Sequence, residues 1–149
     1  MQPETAPIGL DVASTGRVLS RAFNDALVAA GGSLPQWLVV AALKRGDHAM
    51  QRDLAAAIGI EGATLTHHLN RMEADGLVRR ERVAGNRRSH VVGLTPAGEA
   101  LFATLLRAVV TFDTQLCAGF SERELATTRR MLARLRANTS PADPTTQAN

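Results

Sequence analysis

Apolar residues recur at helical spacing through most of this chain. Val18/Leu19, Ala22/Phe23, Ala26/Leu27 and Ala30 fall three to four residues apart, and Gly31-Gly32 ends the run. Leu34, Leu38 and Ala41/Ala42 predict a second helix, with Pro35 in its first turn, where a missing N–H costs little. Gln51–Ile58 reads as a short third helix stopped by Gly59, and Glu61–Asp75 as a fourth stopped by Gly76. The period then changes. Leu77-Val78 leads into Arg79-Arg80-Glu81-Arg82-Val83, Ala84-Gly85-Asn86 is turn chemistry, and His90–Leu94 is a second strand-like run, so a β-hairpin is expected. Thr95-Pro96 supplies an N-cap and a first helical residue for the next helix. Along it Leu101, Leu105, Val109, Phe112 and Leu116 form one stripe. Ser121-x-x-Glu124 is a capping box, and the helix it starts carries Leu125, Thr128, Leu132 and Leu135 on one face.

Four helices, a hairpin and two more helices predict a mainly α fold with a small β-hairpin (α+β), a winged helix-turn-helix with helical extensions at both ends. Residues 33–95 are the expected winged lobe. Residues 8–32 and 96–137 are the expected helical dimerisation region, because one small lobe cannot bury three long apolar stripes and a two-fold partner can. Residues 1–7 are expected to be mobile, and residues 138–149, almost without apolar side chains, to form a disordered tail.

Composition narrows the function. A chain of 149 residues with 45% hydrophobic and 21% charged positions suits one globular domain. Charge interrupts every apolar stretch before the roughly 20 residues of a membrane span. The N-terminus lacks the basic start and apolar run of a signal peptide, so a cytoplasmic protein with no membrane partner is expected. The net charge is +3, and Lys44 is the one Lys among 17 basic residues. Six Arg against Glu73, Asp75 and Glu81 between Arg71 and His90 account for an excess equal to the whole. Arginine suits phosphate and guanine edges better than lysine does.

The helix pair Gln51–Gly76 has helix-turn-helix spacing, which lets the second helix lie in a major groove. Leu65, Leu69 and Met72 should face the core against Leu54 and Ile58. The opposite face presents Thr64, Thr66, His67, Asn70 and Arg71, side chains that hydrogen-bond base edges and phosphates. A merely solvated face usually carries Glu and Lys, and none occurs here until Glu73. Arg87 and Arg88, just past the hairpin turn, can reach the backbone or a narrow minor groove.

The run Arg52-Asp53-Leu54-Ala55, Gly59-Ile60, Thr64-x-Thr66-His67-His68-Leu69-x-Arg71-x-Glu73-x-Asp75-Gly76-Leu77-Val78, Asn86-Arg87-Arg88 and Leu94-Thr95-x-x-Gly98 resembles the MarR family over roughly residues 10–137. The resemblance implies a homodimer whose outer helices interleave. It also implies two winged lobes on a palindromic operator of double-stranded DNA, and repression relieved by a small-molecule effector or by thiol oxidation. In relatives the effector lies between the dimerisation helices and the lobe, where Phe23, Trp37 and Phe112 are candidate lining residues, although core packing is the favoured reading of each. Three positions depart from the family: Asn86 replaces the wing Asp, Met50 replaces a capping Thr or Ser, and no Cys stands near the start.

Other classes fit less well. No HExxH, GxSxG or P-loop pattern occurs. His67 and His68 point about 100° apart on a helix and do not share an ion readily. No enzyme, metal or cofactor is expected. The single Cys117 excludes an internal disulfide and reads either as a packed side chain or as a redox sensor. A winged helix that binds protein and no longer DNA is the remaining alternative.

Overall fold

The computed structural model describes residues 6–46 and 50–139; the side chains of Arg87 and Arg88 and all of His48 fall outside that set. The elements follow in the expected order: α1 Ile8–Ala29, α2 Leu34–Arg45, α3 Gln51–Ile58, α4 Gly62–Ala74, β1 Val78–Val83, β2 Asn86–Leu94, α5 Pro96–Leu116 and α6 Glu122–Thr139. Two compact parts divide inside α5, between Phe112 and Asp113.

In the first part the core lies where α2, α3, α4 and the hairpin meet. Val39, Val40, Ala42, Leu54, Ala55, Leu65, Leu69, Met72, Val78 and Val92 are buried there, with Trp37, Ile58, Leu77, Leu101 and Phe102 packed around them. The spacing of four and three between Leu65, Leu69 and Met72 puts all three on one side of α4, as expected. Each such leucine removed from water contributes roughly 1.5–3 kcal/mol, more than any single polar contact on this surface. Ser33 caps α2 by accepting from the Gln36 amide, and Asn24 on α1 accepts from the Leu34 amide at 3.1 Å, which joins α1 to α2.

The turn between α3 and α4 depends on Gly59, whose φ of +77° strains any residue with a Cβ. Met50 caps α3 without a side-chain bond. Its backbone instead bridges to Val91 of β2, so the residue in the capping position fastens the helix-turn-helix to the hairpin.

The Leu94-Thr95-x-x-Gly98 motif closes the lobe. Thr95 caps α5 by accepting from the Gly98 amide, its hydroxyl donates to the Gly76 carbonyl, and its own amide donates to Leu77. A Cβ on Gly98 would clash with the Leu77 carbonyl oxygen, so only glycine lets α5 start this close to the end of α4.

The second part is the end of α5 and α6. Ser121 and Glu124 form the expected capping box: the Ser121 amide donates to the Glu124 carboxylate at 2.8 Å, and the Glu124 amide donates to the Ser121 hydroxyl at 3.3 Å. Donation to the carboxylate by the Ser121 amide, and by the Ser121 hydroxyl at 2.8 Å, lowers the Glu124 pKa. Asn138 and Thr139, expected in the tail, belong to α6, where Thr139 bonds the Arg136 carbonyl; the rest of the expected tail lies outside the described residues. No single helix among the described residues is long and apolar enough to cross a membrane.

Candidate nucleic-acid interface

The surface opposite the buried side of α4 carries most of the residues singled out in the sequence. Thr64, His67, Asn70 and Arg71 are exposed, while Leu65 and Leu69 behind them are fully buried. The packed face therefore fixes which way the polar face points. His67 and His68 lie edge to face, ring centroids 5.8 Å apart. Among the described residues no group of three potential metal ligands comes together.

Thr66 differs from its neighbours. It is half-buried, accepts from Gln51 Nε2 of α3 at 2.8 Å and donates to the Gly62 carbonyl at 2.9 Å. Its hydroxyl braces the two helices of the motif. Beside it a 580 Å³ cleft opens between the starts of α3 and α4 and the turn-proximal end of β2, lined by Gln51, Arg52, Gly62, Thr66, Asn86 and His90 among others.

Strands β1 and β2 pair antiparallel from Val78–Leu94 to Arg82–His90, and then the ladder jumps to Val83–Asn86. Three residues of β2, 87–89, have no opposite number on β1. Arg87 and Arg88 thus sit on a bulged strand next to the turn rather than in the turn itself, and β2 is longer than the expected His90–Leu94 run. Gly85 provides the positive φ at the tip.

The sequence reading missed Arg80. Strand alternation puts it on the same side as buried Val78, opposite Val92, and its side chain is only 18% exposed. It reaches back to α4. Nη2 donates to Glu73 Oε2 at 2.6 Å and to Asn70 Oδ1 at 2.7 Å, Nε donates to Glu73 Oε2 at 3.1 Å, and the Arg80 amide donates to Glu73 Oε1 at 3.1 Å. The side-chain bond from Arg80 holds the Glu73 carboxyl below its ordinary pKa, against a smaller opposing effect of desolvation. On the outer face Arg79 pairs with Glu81 at 3.4 Å, both well exposed. Two of the six arginines counted as a basic stretch therefore already have carboxylate partners. For Arg80 a signal was available: strand alternation puts it on the face of the apolar Val78.

The aromatic candidates fall into two pairs. Trp37 stacks on Phe102 with centroids 5.8 Å apart, and Lys44, bonded to Glu99 at 2.9 Å, lies 5.5 Å over the same Phe102 ring. Phe23 meets Phe112 at 5.2 Å. Trp37 is thus paired separately from Phe23 and Phe112. Cys117 is half-buried, its Sγ 3.9 Å from Asp113 Oδ1 one helical turn earlier.

A sequence model described as the MarR family matches residues 31–89, from the start of α2 into the wing. The transcriptional regulator PA3341 is 33% identical, with 89% of this chain and 97% of that one covered and a TM-score of 0.75. A Mycobacterium tuberculosis transcriptional regulator, MOSR, solved in complex with DNA, is 25% identical over 91% of this chain and 100% of its own, at a TM-score of 0.70. A MarR-family transcriptional regulator from Rhodococcus sp. RHA1 shares the fold at a TM-score of 0.77 and 22% identity, covering 95% of this chain and 100% of that one.

Proposed function

This chain belongs to the MarR family of winged helix-turn-helix transcriptional regulators, and on that premise we propose that it binds a palindromic operator in double-stranded DNA as a homodimer. Thr64, His67, Asn70 and Arg71 enter the major groove, with Thr66 bracing the helix behind them. Arg87 and Arg88 grip the backbone or the adjoining minor groove. The observation that carries this reading is the outward face of α4: polar residues able to meet base edges stand exposed along a helix whose other face is locked into the core. A relative solved with DNA adds weight to it.

The dimer is proposed from α1 and α6, each of which carries apolar side chains that one copy leaves in water. Ile8, Leu10 and Val18 on α1 and Met131 and Leu132 on α6 are all exposed. A second copy covers such faces by two-fold symmetry. Residues 8–32 and 96–137 are accordingly proposed as the dimerisation region, and residues 33–95 as the reading lobe. Repression relieved by a small-molecule effector is proposed on the strength of family membership, with Phe23, Trp37 and Phe112 as the residues proposed to sense it.

Selection of bound duplexes from a random pool, using the full chain at low ionic strength, tests the proposal. One enriched palindrome is expected, with half-sites about one helical turn apart. Affinity should fall steeply with salt as counterions are released, and replacing both Arg87 and Arg88 by Ala should lower the salt slope by about two. Indifference to every duplex at low salt overturns the reading.

A further inference from the structure

Helix α6 concentrates arginine as heavily as the wing does. It carries Arg123, Arg129, Arg130, Arg134 and Arg136 against Glu122 and Glu124, and all five arginines are exposed. Among the described residues the ion pairs engage Lys44, Arg52, Arg79 and Arg80, and none engages Arg123, Arg129, Arg130 or Arg134. Arg130 donates to a neutral group, the Thr127 hydroxyl, at 2.9 Å. No carboxylate stands three or four residues from any of the five, and Arg130 and Arg134 repel each other at that spacing. The two glutamates lie in the first turn, where Ser121 binds Glu124 in the capping box. A merely solvated helix face gains from alternating signs, and this one forgoes the gain. The helix dipole accounts for Arg136 in the last turn, but not for the arginines further up the helix.

Helical geometry sorts these charges. Arg123, Arg130 and Arg134 fall within about 40° of one another around the axis, and Leu125, Thr128, Leu132 and Leu135 centre on the opposite side. The arginine ridge therefore stays in solvent when a second copy covers the leucine side. We propose that this ridge is a second DNA-binding surface, which holds the phosphate backbone of a duplex without reading its sequence. Guanidinium forks match phosphate oxygens. Arg130 and Arg134 lie about 6 Å apart along the helix, so a strand with one charge per roughly 3.4 Å of duplex axis can meet both. Two other occupants fit less well. Single strands are held by stacking on aromatic rings, and the α6 sequence has none. A membrane surface takes the apolar side of an amphipathic helix, which the proposed dimer already uses.

The inference rests on the DNA-binding reading above for its choice of polyanion, and a variant with a silenced lobe separates the two. The full chain with Arg71, Arg87 and Arg88 replaced by Ala loses the contacts proposed for the lobe. It should still bind a duplex of arbitrary sequence at low ionic strength. Adding Arg130→Gln and Arg134→Gln, which keep helix propensity, should weaken that binding on the order of tenfold and lower its salt slope by about two. In the wild-type background the same Gln pair should leave the selected operator sequence as it was, because phosphate contacts carry no sequence information. Circular dichroism and sedimentation check that the Gln pair is folded and associates as wild type does. Equal duplex binding with and without the ridge arginines overturns the proposal, and so does loss of all duplex binding in the silenced-lobe variant. A Gln pair that sediments as a smaller species than wild type overturns it too, because the arginines then serve association. Ridge-dependent binding of poly-glutamate in place of duplex does the same, since it marks an acidic protein partner. A wild type that selects no palindrome removes the operator reading, and the ridge is then judged by the arbitrary-duplex measurements alone.

Discussion

Helices α4 and α6 both carry apolar residues at helical spacing, yet α4 buries Leu65, Leu69 and Met72, and α6, at 18 residues, buries none. The contrast lies in what surrounds them and not in their patterns. The apolar side of α4 is met by α2, α3 and the hairpin within one chain. Leu132 on α6 remains 40% exposed and Met131 57%. A stripe that a lone chain leaves wet is a stripe waiting for another surface, and the same holds for Ile8, Leu10 and Val18 on α1. One helix is finished by folding, the other by the proposed association.

The largest expected effect sharpens this contrast directly. Leu69→Ala opens a cavity behind the recognition helix and should cost about 2–5 kcal/mol in urea unfolding. Leu132→Ala, the same chemical change on α6, should leave the unfolding midpoint of a diluted sample nearly unmoved. Equal destabilisation by the two in a monomeric sample would erase the distinction.

Next comes association itself. Leu132→Arg places a charge in the proposed dimer face and should shift the sedimenting species from two copies to one, with far-UV circular dichroism retained. Affinity for a palindromic duplex should fall by about a hundredfold or more, because two linked lobes give way to one. A variant that stays dimeric would remove α6 from the interface.

Within the lobe the effects are smaller. Arg71→Ala should cost about 1–3 kcal/mol of operator binding if the guanidinium meets a base edge, and should relax sequence preference at that position. Electrophoretic mobility shift on matched and mismatched duplexes separates that from a phosphate contact, which weakens all sequences alike.

Periodicity in the sequence was enough to outline the lobe. Leu65, Leu69 and Met72 defined the inner side of α4, and hence its outer side, because helical geometry leaves no choice once the core is known. Ser121 and Glu124 declared the start of α6 by local chemistry alone. What stayed hidden were contacts between elements. Thr66 looked like its exposed neighbours until Gln51 of α3 came within 2.8 Å. Met50 looked like a missing cap, and its bridge to Val91 depends on the hairpin folding back across some forty residues. Arg80 merged into a run of positive charge, although strand alternation already turned it toward α4. Charge counting treats every arginine as available, and pairing across elements decides which ones are.

The Arg80–Glu73 clamp yields the smallest expected effect and joins hairpin to helix. Arg80 holds the Glu73 carboxyl below its ordinary value of 4.5, so the folded form favours the carboxylate. A depressed folded pKa contributes stability at pH values above the unfolded value, and that contribution is lost as pH falls through the folded one. The clamp should therefore be intact at neutral pH and weaken only below about pH 4.5. Glu73 is 40% exposed, so solvent screening keeps the contribution below about 1 kcal/mol. Glu73→Gln, measured by thermal unfolding at pH 7 and at pH 3.5, should be less stable than wild type at the higher pH, and the gap should narrow at the lower. A constant gap between the two proteins at both pH values would mean that the ion pair is not what binds the wing strand to the recognition helix. The backbone bond from Arg80 to Glu73 Oε1, which the glutamine oxygen can still accept, and the Arg80 bond to Asn70 would then carry that link.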